Sequence, residues 1–148
     1  MANTQAKEWL KAGYADLRSI FYIIDDEFLT HIVAFHSQQA IEKIKDEIVQ
    51  RLKPLNPNQI ILFGSYANGT PHQDSDIDLY VVTNDNFIPQ TFKENMNLKL
   101  QVSRTLKDLQ KIIPIDIITH TKKMHQNFLE LNNSFSKEIL QNGIKLYG

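Results

Sequence analysis

The chain has 148 residues, 42% of them hydrophobic, enough to bury a core without covalent staples, and its lack of Cys excludes a disulfide framework and any thiolate metal site. Its 16 basic and 17 acidic side chains divide 7 against 8 up to Lys53 and 9 against 9 beyond it. Neither half is therefore the polycationic arm that non-specific nucleic-acid binding requires, whereas a small anionic ligand met by a metal ion stays open. The start, MANTQAKEWLKAG, lacks the basic and apolar regions of a signal peptide. No stretch approaches the roughly eighteen consecutive apolar residues of a membrane span. A soluble, cytoplasmic protein is expected.

In chain order, Trp9/Leu10, Tyr14, Leu17, Ile20/Phe21 and Ile24 recur at helical spacing over residues 5–24. Asp25 and Asp26 interrupt this pattern and can cap a following helix. Phe28, Ile32, Phe35, Ile41, Ile44, Ile48 and Leu52 continue it to Pro54, as one long helix or as two with a break near Ser37. These segments predict an antiparallel helical hairpin. Phe21, Phe28 and Phe35, at near-heptad spacing, are expected in its core.

After Pro54 the period changes. Ile60–Phe63 is a short apolar run, expected as a buried strand. Gly64-Ser65 ends it, Ser65–Asn68 can form about one helical turn, and Gly69-Thr70-Pro71 breaks that turn. Residues 77–82 predict a second strand, 91–110 a helix, 114–119 a third strand and 121–132 another helix. Ser134 opens a last helix through Leu140, and Gly143 precedes a short strand at 144–147. Strands alternating with helices imply an α/β (α+β) layer, here a small mixed sheet flanked by helices behind the N-terminal hairpin.

The chemistry concentrates in DSDIDL. On a strand, Asp76 and Asp78 project from one face about 7 Å apart, while Ile77 and Leu79 turn into the core. Two carboxylates so placed can share a hard divalent cation such as Mg²⁺. An isolated DxD is more often a turn plus an exposed edge, so the neighbours decide. Gly64 lets a phosphate approach the backbone, and Ser65 offers it a hydroxyl and a helical turn. Asp116 lies within the apolar Ile115-Asp116-Ile117, where an unpaired buried charge is costly. It is either on an exposed face or held at a site, and beside the other two acids a third metal ligand is the better reading.

GSYANG…DSDIDL…IDII resembles the polymerase-beta-type nucleotidyltransferase superfamily, and more narrowly its minimal nucleotidyltransferase (MNT) branch. Gly-Ser, ten intervening residues and D-x-D is that family's motif, met by Gly64-Ser65 and Asp76-x-Asp78. The C-terminal SFSKEILQNGIKLYG is also typical of MNT chain ends, so the resemblance covers residues 41–148. It implies that Asp76, Asp78 and Asp116 hold two Mg²⁺ ions, that Asp116 helps deprotonate the attacking hydroxyl, and that Gly64 and Ser65 bind the nucleotide triphosphate. The implied reaction moves a nucleoside monophosphate, AMP from ATP or the equivalent from another NTP. Asn68 is a departure, standing where many relatives carry Arg, an exchange expected to weaken triphosphate contacts.

AKEWLKAGYADL and FHSQQAIEK, within residues 4–45, resemble the first helices of HEPN domains, all-helical partners commonly encoded beside MNT proteins. That family's ribonuclease motif is Arg, four to six residues, then His; Arg18, Arg51 and Arg104 have no His at that offset. The chain is thus not expected to be the ribonuclease. The expected organisation is a partial HEPN-like hairpin at 1–40, serving packing or homo-oligomerisation, and a nucleotidyltransferase domain at 41–148. The resemblance implies an antitoxin acting on a protein hydroxyl of a HEPN-type toxin. Silencing of that partner by contact alone, or transfer to a small-molecule hydroxyl, are the alternatives. His36 is expected in the core or an interface, and His31, His72, His120 and His125 show no metal-ligand spacing. His72, between Ser65 and Asp76, is the histidine positioned to reach a nucleotide.

Overall fold

The computed structural model describes residues 2–23 and 30–148, which form two compact units, 1–48 and 49–148. In the first, α1 (Ala2–Ile23) and the greater part of α2 (Thr30–Leu52) are long helices. The second pattern is one continuous helix, with no break at Ser37. Gly13 lies against Ala40, and the Lys43 ammonium sits 3.5 Å from the centroid of the Trp9 ring. Partners that ascend on one helix descend on the other, which is the antiparallel hairpin expected. Among the described residues Leu10, Leu17, Ala40, Ile44 and Ile48 are buried there. Phe35 is not core: it is 60% exposed, because it falls outside the stripe that Ala40 and Ile44 define. His36 beside it is exposed as well, its ring edge-on to Phe35. The capping by Asp25 and Asp26 and the side chains of Phe21 and Phe28 fall outside what the structure describes.

The second unit is built on a four-stranded sheet of β1 (Gln59–Phe63), β2 (Ile77–Val82), β3 (Ile115–His120) and β4 (Ile144–Tyr147), in the order β3-β2-β1-β4. β1 pairs antiparallel with β2 and β4, and β2 pairs parallel with β3. That mixture follows from the connections. A one-turn α3 (Ser65–Asn68) and a short loop return the chain antiparallel, whereas the parallel pair needs the long crossover through α4 (Phe92–Gln110). α4 begins with a full capping box, the Thr91 hydroxyl accepting from the Glu94 N–H while the Glu94 carboxylate accepts from the Thr91 N–H.

Alternation along the strands divides the core in two. Ile60, Leu62, Leu79 and Val81 are buried on one face. α4 presents Leu98, Val102, Leu106 and Leu109 to this face. The end of α2 joins it there, since Leu52, Val81 and Val102 line one small cavity of about 120 Å³. On the other face Ile61, Phe63, Tyr80 and Val82 pack with Phe128 of α5 (Lys122–Leu131) and with Ile139. Ile139 lies in the wide turn Glu138–Asn142 that follows α6 (Ser134–Lys137). This second face is covered only in part, which leaves one end of the sheet open. Among the described residues no helix is long and apolar enough to cross a membrane.

Leu79 is fully buried in the central strand pair. Leu79→Ala is expected to cost about 2–5 kcal/mol, through lost burial and the cavity left behind. Urea unfolding followed by circular dichroism measures it.

Candidate active site

The open end of the sheet lies where β1 finishes and β2 and β3 begin. Phe63 is paired with Asp78, and Asp78 in turn with Asp116 on the parallel neighbour. Directly paired positions project from the same face, and adjacent strands are about 4.8 Å apart, so Asp78 and Asp116 stand side by side. Ile77 donates its N–H to the Pro114 carbonyl at 2.9 Å, which locks this register at its first residue. Asp76 lies just before β2 and shares the face of Asp78. Asp76 and Asp116 are exposed and Asp78 is half-buried. Asp116 is thus on an exposed face, because β3 is an edge strand, and beside Asp78.

The carboxyl of Asp78 is pushed above its ordinary value of 3.8, first by burial, then by Asp116, then by Asp76. Among the described residues no cationic side chain figures among the causes of that shift. A cluster of this kind is electrostatically unsatisfied by the protein alone, and a divalent cation answers it. Among the described residues no three His, Asp or Glu side chains close tightly enough to encage an ion without help. This donor set fits Mg²⁺, which is commonly held by one or two carboxylates with substrate phosphates and water completing the octahedron.

Gly64 is fitted to its position for two reasons. Its φ is +72°, which a side chain rarely adopts, and a Cβ there would overlap the Asp78 carboxylate. The Gly64–Ser65 turn and the acidic strand are therefore in direct contact. The Gly64 carbonyl accepts from the N–H groups of Ala67 and Asn68, which starts α3 and sets Ser65 at its first residue. Asn68, the departure from Arg, donates to Glu138 at 3.1 Å, and Asn142 donates to the other oxygen of the same carboxylate at 2.7 Å. These hydrogen bonds, that of Asn68 first, hold Glu138 below its ordinary value. No local pattern announces a partner 70 residues away. His72 builds its own loop: its Nδ1 accepts from the Asp74 N–H, its backbone N–H donates to the Ser75 hydroxyl, and its carbonyl accepts from the Ser75 N–H.

Behind the acids, on the same face, the fully buried Tyr80 hydroxyl lies 2.8 Å from Nδ1 of both His120 and His125, and His125 Nε2 lies 2.7 Å from the Gln59 amide nitrogen. With the Gln59 amide nitrogen turned to His125, as it is here, the tautomers follow along the chain. The Gln59 amide donates to His125 Nε2, His125 Nδ1–H donates to the Tyr80 oxygen, and the Tyr80 O–H donates to His120 Nδ1. Burial pushes the Tyr80 phenol up, keeping it a donor. Burial also lowers both histidines, with His125 and Lys99 adding to the effect at His120 and Lys145 at His125. The period-two alternation of DLY already placed Tyr80 on the face of Asp78, but nothing local linked it to residues 120 and 125.

Residues 42–148 match the polymerase beta nucleotidyltransferase family, and the chain belongs to it. Its members generally use a nucleoside triphosphate and a divalent metal. Among solved structures, one described as a toxin–antitoxin with AMP-PNP is 22% identical, with a TM-score of 0.45, covering 70% of this chain and 73% of that one. A mutant form of the toxin–antitoxin MntA-HpeT is 18% identical, with a TM-score of 0.43, covering 70% of this chain and 72% of that one. No curated protein matches the chain significantly.

Two outcomes test this geometry. Gly69 is left-handed helical (φ 72°, ψ 21°) with open space around it, whereas Gly64 (φ 72°, ψ −155°) adopts a conformation essentially restricted to glycine, and a Cβ there would meet the Asp78 carboxylate. Gly69→Ala is expected to lose about 1–2 kcal/mol of stability and Gly64→Ala more, and only Gly64→Ala should alter the titration of the Asp78 carboxyl followed by NMR. The histidine network sets the second outcome. A histidine whose folded value is depressed contributes stability that is present above its unfolded value and is lost as pH falls. The thermal midpoint should therefore fall as pH drops below 6.5, the ordinary value of both histidines. Replacing both by Gln should flatten that dependence in a pH series of melting curves.

Proposed function

We propose that this chain is a Mg²⁺-dependent transferase that moves AMP from ATP onto a protein hydroxyl, and that the acceptor is a tyrosine of a HEPN-type toxin that it silences. The pairing of Asp78 with Asp116, against the glycine that opens the phosphate turn, carries the transferase part of this reading. The acceptor rests on the resemblance of residues 4–45 to HEPN helices and of the motif to MNT proteins, whose partners are of that kind.

In this reading Asp76, Asp78 and Asp116 are the residues that would hold two Mg²⁺ ions, which neutralise charge on the phosphates and on the departing pyrophosphate. Ser65 and the backbone at Gly64 orient the triphosphate. The acceptor oxygen bonds to the α-phosphorus as the bond from that phosphorus to the pyrophosphate oxygen breaks, and pyrophosphate leaves with the electron pair. Asp116, exposed on the edge strand, takes the hydroxyl proton. Positioning and preorganised charge do most of the work, as is general for phosphoryl chemistry.

Silencing by contact alone has one observation in its favour. Asn68 is held by the Glu138 carboxylate, which puts an anion instead of a cation beside the phosphate turn. The two readings separate on incubating the purified chain, Mg²⁺ and each α-³²P-labelled NTP with the protein encoded next to it. Transfer predicts label on that protein, lost in Asp76→Asn/Asp78→Asn. A partner silenced equally well by the double variant, with no label from any nucleotide, would sink the transferase.

A further inference from the structure

The cluster of acids and the Gly64–Ser65 turn account for the phosphate end of a nucleotide but leave its base without a partner. One exposed aromatic ring stands at the right place. Phe135 is 43% exposed, yet its ring packs edge-on at 5.9 Å against both Phe63 and Phe128, which are buried. Phe63 is the residue paired with Asp78, so it stands about 5 Å from that carboxylate's strand position. Phe135 is thus one ring removed from the acids, on the face they occupy.

A second contact locates it independently. Glu138, one helical turn after Phe135, holds Asn68 at the end of α3. The segment carrying Phe135 is therefore tied to the phosphate turn as well as to the strand beside it. It is also stiff. The Asn133 side chain accepts from the Ser136 N–H at 2.8 Å, and the buried Ser136 hydroxyl donates to the Asn133 carbonyl at 3.0 Å. Phe128 is backed in turn by Tyr80 and His120, each 5.4 Å away between ring centroids. An exposed ring on a chain of packed rings has already lost the conformational freedom that stacking would otherwise cost.

We propose that Phe135 is the surface on which the base of the bound nucleotide stacks, so that it holds the nucleoside end while Gly64, Ser65 and the carboxylates hold the phosphates. This rests on the transferase reading and adds a specificity-determining residue to it. Stacking on a single ring tolerates every base. The inference therefore assigns discrimination between NTP and inorganic polyphosphate to Phe135, and leaves the choice among bases to other groups.

The test compares two probes by calorimetry in Mg²⁺: a non-hydrolysable ATP analogue, and inorganic tripolyphosphate, which lacks a base. Phe135→Ala is expected to weaken the analogue by about ten- to a hundredfold and to leave tripolyphosphate unchanged. Phe135→Tyr, which keeps the ring, should bind both like wild type. Phe92→Ala, which removes an exposed ring on α4, should change neither. Unchanged analogue binding by Phe135→Ala would overturn the proposal, and would make Phe135 a docking residue if capture of the neighbouring protein were lost instead. Equal loss of both probes would also overturn it, since the ring would then serve only structure. Wild type binding tripolyphosphate as tightly as the analogue would do the same. If wild type binds neither probe, the transferase reading itself falls, and this inference falls with it.

Discussion

Three carboxylates crowded at one end of a sheet are the constraint around which this unit is arranged. Parallel pairing of β2 with β3 puts Asp78 beside Asp116, and like charges at that spacing repel. Folding of the sheet works against this repulsion instead of relieving it, and Asp78 is raised first by its burial and then by Asp116 and Asp76. What supports the arrangement is apolar: the other face of the same strands buries Ile60, Leu62, Leu79 and Val81 under α4. The unit carries an unsatisfied charge at one edge because the core beneath is well packed, a usual relation between a site and its scaffold.

The same relation orders the residues around the acids. Gly64 must lack a side chain because the Asp78 carboxylate occupies that space. α3 must begin where it does because the Gly64 carbonyl accepts its first two amide bonds. The C-terminal segment, remote in the chain, closes the assembly through Glu138 on one side and Phe135 on the other. Behind these, Tyr80 satisfies two imidazoles with one hydroxyl, so that a polar network replaces what alternation alone would have made a continuous apolar stripe.

Legibility in the sequence followed the range of the interaction. Period-two alternation in DIDLYVV and the apolar run IILF located β2 and β1 to within a residue, and the 3.6-residue period did the same for α4. Gly64-Ser65 and D-x-D are short-range features, so the motif is legible without any coordinates. Phe35 misled because near-heptad spacing across residues 21–35 presumed one continuous stripe, whereas the described part of α2 buries Ala40 and Ile44. The Asn68–Glu138 bond, the double hydrogen bond of Tyr80 and the packing of Phe135 on Phe63 join residues 40 to 72 positions apart. Such contacts depend on how elements stack, which periodicity does not encode.

The exchange of Arg for Asn at position 68 gains meaning from this long-range set. An Arg there would place a cation beside the phosphate turn; Asn68 instead spends its amide on Glu138 and orders the segment that carries Phe135. A hydrogen bond to a carboxylate at an exposed site contributes little to stability, so its effect is one of placement. Under the proposed transferase reading, loss of charge at the triphosphate and gain of order at the nucleoside end are opposite in sign for binding. In that reading, a chain with less charge against the phosphates would depend more on a metal at its carboxylates and on contacts beyond the phosphates. In this fold the ring of Phe135 is the group placed to supply them.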